Sequence, residues 1–307
     1  MQTLFVLLGP TGVGKTDLSL SIAGLLECPI ISVDSRQRYR DLPIGTAAPT
    51  PTQLKTREHH FIGTLPITET YSAARYEAEA SALIHRLFKT HNHLLVTGGS
   101  MLYIDALCHG MDNLPTIDEK TRWHFQQRLL IEGLPALAEE LRQVDPQYYA
   151  QTDLNNPRRV VHALEICHVA GCPYSSLLGV RRKEHPYRIV KLGLWRERED
   201  LYLRIDHRVD QMIAGGLIDE ARNVYPLRHL NALNTVGYKE LFAHFDGSIS
   251  LPEAIAKIKK NTRVYARKQL TWFSHDSSIL WLQAERKKEM LQLVERIASG
   301  PSFSEKR

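Results

Sequence analysis

Short apolar runs alternate with longer mixed segments over the first third of the chain. Residues 4–8, 29–33 and 93–97 are near-continuous apolar stretches, the pattern of strands buried on both faces. Between them, 17–26 and 73–90 carry the length and composition of helices. After residue 186 the same alternation resumes: 188–195 and 279–282 predict strands, and 199–214, 252–273 and 285–298 predict helices. Strands separated by helices argue for a parallel sheet covered on both sides. From 116 to 186 no strand pattern survives. Helices are expected there at 118–133, at 134–144, and from Asn156-Pro157 to a stop at Gly171. The expected architecture is α/β, with a mostly parallel sheet flanked by helices built from 1–115 and 187–307, and an all-helical insertion at 116–186.

Composition narrows this picture only a little. The 307 residues are 43% hydrophobic and 24% charged, which excludes disordered and filamentous classes. No apolar stretch approaches the roughly 20 residues that span a bilayer. Met1-Gln2-Thr3 has no basic character and Gly9 ends the first apolar run, so no secretory signal is expected and a cytoplasmic location is. Cys28, Cys108, Cys167 and Cys172 form no C-x-x-C pair, so neither a disulfide framework nor a zinc site is expected.

Charge matters through its placement. The net charge is +5, and six basic residues against one acid fall between 251 and 275. Lys260, Arg263 and Arg267 share one face of the predicted helix, which suits a polyanionic partner. Ile255, Ile258, Tyr265 and Trp272 share another face, expected to pack into the core.

The strongest chemical signal is Gly9, Pro10, Thr11, Gly12, Val13, Gly14, Lys15 and Thr16, a complete G-x-x-x-x-G-K-[ST] motif between a predicted strand and a predicted helix. Such a loop closes backbone N–H groups around phosphate oxygens, aided by the positive end of the following helix. Lys15 adds a charge, and the Thr16 hydroxyl is a ligand for Mg²⁺. This is a P-loop core. The strand at 93–97 ends in Gly98-Gly99-Ser100, without the acid that NTP hydrolysis uses to hold Mg²⁺. Asp34 is the carboxylate that directly follows a core strand. It suits a general base on an acceptor beside the phosphates, and equally an Asp capping its own turn.

Taken together, several motifs resemble the tRNA dimethylallyltransferases, the bacterial tRNA isopentenyl transferases. They are the P-loop, Val33-Asp-Ser-Arg-Gln-Arg-Tyr39, Ile44-Gly-Thr-Ala-Ala-Pro49, Gly98-Gly-Ser-Met-Leu-Tyr103, Asn156-Pro-Arg-Arg159, Ala163-Leu-Glu165, Val236-Gly-Tyr238, Thr262-Arg263, Lys268-Gln269 and Thr271-Trp-Phe273. The resemblance spans nearly the whole chain, in the family's order. It implies transfer of the dimethylallyl group of dimethylallyl diphosphate to N6 of adenosine-37, just 3′ of the anticodon. The P-loop then grips a diphosphate leaving group, with Mg²⁺ at Thr16. Asp34 is the base, and Arg208 stabilises the departing diphosphate. The anticodon stem-loop of tRNA is implied to meet Asp34, Ser35, Arg36, Gln37, Ser100, Arg122, Arg158, Arg159, Val160, Val161 and His162. Arg263, Arg267 and Lys268 are added to that set from the basic helix.

Departures from the family pattern are His162 for a more usual arginine, Arg36 and Arg38 where apolar residues are common, and Arg267-Lys268 in place of Lys-Arg. A monomer with no membrane partner is expected. The competing readings are a small-molecule kinase using ATP, with Arg181-Arg182 as its lid pair, and a nucleotide-gated RNA-binding protein.

Overall fold

All strand pairings in the sheet are parallel. Its strands are β1 (Thr3–Leu8), β2 (Ile30–Ser32), β3 (His59–His60), β4 (His93–Gly98), β5 (Arg188–Trp195) and β6 (Leu280–Gln283). They lie in the order β3-β2-β4-β1-β5-β6. The computed structural model describes residues 1–112, 114–179 and 183–300. Central β1 is buried at every position, as its unbroken apolar run requires. β3 was not legible: its two histidines carry no apolar pattern, and only pairing with β2 defines it.

The chain leaves β1 toward β2 and leaves β4 toward β5, on opposite sides of the β1–β4 pair. The crevice beyond the carboxyl ends of such a pair is where doubly wound sheets bind ligands. Helices α1 (Lys15–Leu25), α2 (Pro51–Thr56), α3 (Ala73–Leu87) and α4 (Met101–His109) belong to this first half of the fold.

Two compact units divide the chain, Met1–Cys108 with His185 onward, and His109–Glu184. The break therefore comes earlier at both ends than the expected 116–186. The second unit holds α5 (Glu119–Val144), α6 (Pro146–Gln151) and α7 (Pro157–Ala170). The expected break between the helices at 118–133 and 134–144 is present: within α5, Gly133 leaves the helical region (φ 81°, ψ 165°), two residues before Pro135, and two helices meet there at a kink. Asn156 Oδ1 caps the start of α7, and Gly171 (φ 66°) ends it in the left-handed region. Phe125, Leu137, Leu141, Val160, Val161 and Leu164 form this unit's core. Its two ends meet, with Lys183 N donating to His109 O at 3.0 Å.

The first unit continues with α8 (Arg198–Ala214), α9 (Leu217–Val224), α10 (Tyr238–Phe245), α11 (Leu251–Ser274) and α12 (Lys287–Ala298). Ser250 and Glu253 form a reciprocal cap at the start of α11. The buried stripe of α11 is Ala254, Ile258, Ala266, Gln269 and Phe273. Tyr265 and Trp272 are 37% and 44% exposed, which corrects the expectation that they sit in the core. Both rings are amphipathic, and the Trp272 indole N–H donates to Asp105 Oδ2 at 2.8 Å.

Candidate active site

The segments following β1, β2 and β4 meet α1, α8 and α11 at one open cavity of about 890 Å³. The loop from Gly9 to Thr16 joins β1 to α1, and Gly12 takes φ +82°, where a Cβ would come within 2.9 Å of Ile205. Only glycine fits that turn. Arginines secure the outer carbonyls of the loop: Arg204 Nε donates to Gly12 O at 3.0 Å, and Arg196 Nε to Val13 O at 2.8 Å. The first turn of α1 leaves its N–H groups without partners inside the helix, which is what an anion binds.

Lys15 Nζ donates to the carbonyls of Gly9 (2.9 Å) and Pro10 (2.8 Å). Burial, helped by repulsion from Arg208 and opposed by the Asp34 carboxylate, lowers its ammonium to about 7. Arg208 lines the same cavity from α8, and burial lowers its pKa despite the pull of Asp34. Arg204 and Gln211 line the cavity with it, as do Ile205 and Val209, which together with Leu201 are the buried residues of α8.

Asp34 follows β2 and lines the same cavity, near enough for its carboxylate to act on Lys15 and Arg208. Its Oδ1 accepts from Arg36 N (2.8 Å) and Gln37 N (3.1 Å). The turn-capping role is therefore present, and it occupies one carboxylate oxygen of a group that also faces the site. Ser100 Oγ accepts from Ser35 N at 2.9 Å, tying the end of β4 to the Asp34 turn. Gln37 Nε2 donates to Thr46 O and Ala47 O (3.2 and 3.1 Å), and Arg36 Nη1 to Asn231 O (2.9 Å).

Several contributors escaped sequence reasoning. Gln269, 2% exposed, accepts from Thr11 N and donates to Gly99 O, both at 2.8 Å, pinning the P-loop to the end of β4. Its sequence signals were the Lys268-Gln269 motif and a polar residue within the buried stripe of α11, and neither named its role. Tyr265 lines the cavity near Asp34, and burial followed by that carboxylate pushes its phenol up to about 12. Arg38 is a structural residue. It is 3% exposed, stacks between Phe61 and Tyr71, and pairs with Glu79 at 2.9 Å.

The remaining expected contacts lie elsewhere. Arg122, Arg158 and Arg159 are exposed in the helical unit. His162 stands beside Glu165, and burial together with Arg122 lowers its pKa. Val160 (0% exposed) and Val161 (9%) are core residues of that unit, which corrects their placement as RNA contacts; the exposed face of α7 belongs to their neighbours. Arg267 and Lys268 are exposed on α11, whereas Arg263 is engaged with Asp206 at 2.8 Å. Arg181 and Arg182, the lid pair of the kinase reading, lie outside the described residues.

No group of three His, Cys, Asp or Glu forms a metal cluster among the described residues. Mg²⁺ is usually held by one or two protein oxygens and completed by substrate phosphates and water. The Thr16 hydroxyl, in a cavity shared with Asp34, fits that pattern.

A parallel α/β sheet with this loop between β1 and α1 defines a P-loop protein. The IPP transferase family model matches residues 37–276, and the chain belongs to that family. Among individual proteins, it is 54% identical over 296 residues to tRNA dimethylallyltransferase 1 of Phocaeicola vulgatus, covering 96% of this chain and 99% of that one. It is 55% identical over 294 residues to the protein of the same name from Bacteroides thetaiotaomicron, covering 96% of each. The crystal structure of a tRNA isopentenylpyrophosphate transferase from Bacillus halodurans matches with a TM-score of 0.72 at 34% identity, over 97% of both chains. A eukaryotic dimethylallyltransferase acting on tRNA matches with a TM-score of 0.83 at 22% identity, over all of this chain and 82% of that one, and supports the fold.

Proposed function

We propose that the protein transfers the dimethylallyl group of dimethylallyl diphosphate to N6 of the adenosine just 3′ of the anticodon in tRNA. One observation carries this reading: Asp34 shares a single cavity with Lys15 and Arg208 and acts electrostatically on both. The adenine amino nitrogen attacks C1 of the allyl group, the C1–O bond breaks, and diphosphate leaves with the bonding pair. Asp34 takes the proton released from N6. Lys15 and Arg208 stabilise the charge that grows on the leaving group. Thr16 would hold Mg²⁺, which neutralises diphosphate charge when bound. A stacked adenine hides N6, so the base must turn out of the anticodon loop to reach the cavity. The protein works in the cytoplasm as a monomer. Among the described residues no helix is long and apolar enough to cross a membrane.

The test is direct. Purified protein, Mg²⁺, labelled dimethylallyl diphosphate and unmodified tRNA should yield labelled RNA and free diphosphate. ATP consumption with no label in RNA overturns the reading in favour of a kinase. Membership of the IPP transferase family favours the transferase.

A further inference from the structure

Helix α9 places a carboxylate in an otherwise apolar stripe: its buried residues are Leu217, Glu220, Ala221 and Val224. Glu220 is 9% exposed, and a buried carboxylate is tolerated only where donors surround it. Three do. Oε2 accepts from Ile44 N at 2.8 Å, and Oε1 accepts from Gly45 N at 2.8 Å and from the Tyr238 hydroxyl at 2.6 Å. Tyr238 is fully buried, and burial with the neighbouring carboxylate raises its phenol far above its usual value, which keeps it a donor. A Cβ at Gly45 would fall 2.5 Å from the Tyr238 oxygen, so the backbone of the turn lies directly on this pair.

What the pair holds is a turn that does not hold itself cheaply. Ala47 has φ +47°, a left-handed conformation that its Cβ disfavours. The strained geometry has a use: the carbonyls of Thr46 and Ala47 accept from Gln37 Nε2 at 3.2 and 3.1 Å, and Arg208 Nη2 approaches Ala47 O at 3.5 Å. Gln37 N in turn donates to Asp34 Oδ1. Glu220 thus stands at the head of a chain of contacts ending on both groups that face the reaction.

We infer that Glu220 is a positioning residue, whose carboxylate fixes the 42–48 turn so that Thr46 and Ala47 aim Gln37 and Arg208 at the reacting centre beside Asp34. This rests on the dimethylallyl-transfer reading. Misplacement of a catalytic group by about 1 Å costs on the order of 100-fold in rate. Glu220→Gln offers one acceptor oxygen in place of two and sets an N–H₂ group against a backbone donor. At a temperature well below its melting point, it should lower kcat by about 10- to 100-fold and leave KM for dimethylallyl diphosphate nearly unchanged. In an Arg208→Ala background the same change should cost less, because one of the two residues it acts through is gone.

Tyr238→Phe keeps both backbone bonds and should lower kcat by a smaller factor; it decides the matter should Glu220→Gln fail to fold. A lower melting temperature with wild-type kcat, or an equal fold-loss with and without Arg208, overturns the inference. Should the unaltered protein move no label from dimethylallyl diphosphate to tRNA, the functional reading falls and the inference with it. A working parent with an unmoved kcat in Glu220→Gln removes the positioning role alone.

Discussion

Asp34 carries two duties on one side chain. Oδ1 closes the turn onto Arg36 and Gln37, and the carboxylate faces the P-loop cations. Asp34→Asn keeps an acceptor at Oδ1 and so keeps the turn, but it removes the base. Single-turnover transfer should fall by about 10²–10⁴-fold while tRNA and donor still bind; a mutant retaining most activity would assign the carboxylate to the turn alone. Lys15 has a different signature. Its ammonium is lowered to about 7, so above that pH the free protein holds it largely neutral. A diphosphate favours the charged form, so donor binding must draw in a proton. Calorimetry at about pH 8 in buffers of different ionisation enthalpy should show uptake of roughly one proton, fading toward about pH 6 as the lysine is already charged. Uptake that does not change with pH would refute this. Lys15 and Thr16 were legible because their motif is contiguous in the chain. The roles of Gln269, named only within a motif, and of Glu220 were not, because a polar residue in a buried stripe shows its purpose only when its partners, at Thr11 and Gly99 or at Ile44 and Gly45, are brought to it.

At the scale of elements, long periodic segments read well. The pattern predicted β5 at 188–195 and α8 at 199–214, and the structure has them at Arg188–Trp195 and Arg198–Ala214. Short polar or tertiary-defined pieces such as β3 and α9 did not stand out. Helix α11 shows how a face can be misread. Charge spacing alone grouped Arg263 with Arg267, yet Arg263 reaches across to Asp206 on α8, as Lys259 does to Asp210. These pairs brace the helix that carries Arg208. Asp206 Oδ1 is already buried without a partner among the described residues, so removing Arg263 strands a carboxylate. Arg263→Ala should therefore lower the melting temperature and leave the salt dependence of tRNA binding near that of the parent. Arg267→Ala with Lys268→Ala should do the reverse, flattening the salt slope by about 0.7–0.9 for each phosphate that the two side chains neutralise. Equal salt slopes in the parent and the Arg267/Lys268 variant would make that face merely solvated.

At the scale of the whole molecule, the cavity proposed for the donor is lined, among the described residues, only by residues of the first unit, whereas Arg122, Arg158 and Arg159 belong to the second. The two substrates should then be separable by mutation. Arg158→Ala with Arg159→Ala should weaken tRNA binding and leave KM for dimethylallyl diphosphate unchanged; a matching loss in donor affinity would show the division to be false. The bond from Lys183 N to His109 O gives this division a further meaning. It makes the helical unit a closed handle, leaving and rejoining the chain at one point. Loop-closure entropy grows only slowly, by about 0.6 kcal/mol for each doubling of length. A longer, shorter or wholly different handle would cost the sheet little. Where Arg158 and Arg159 hold RNA as predicted, descendants of such a chain are free to rework that grasp while the P-loop cavity is inherited intact.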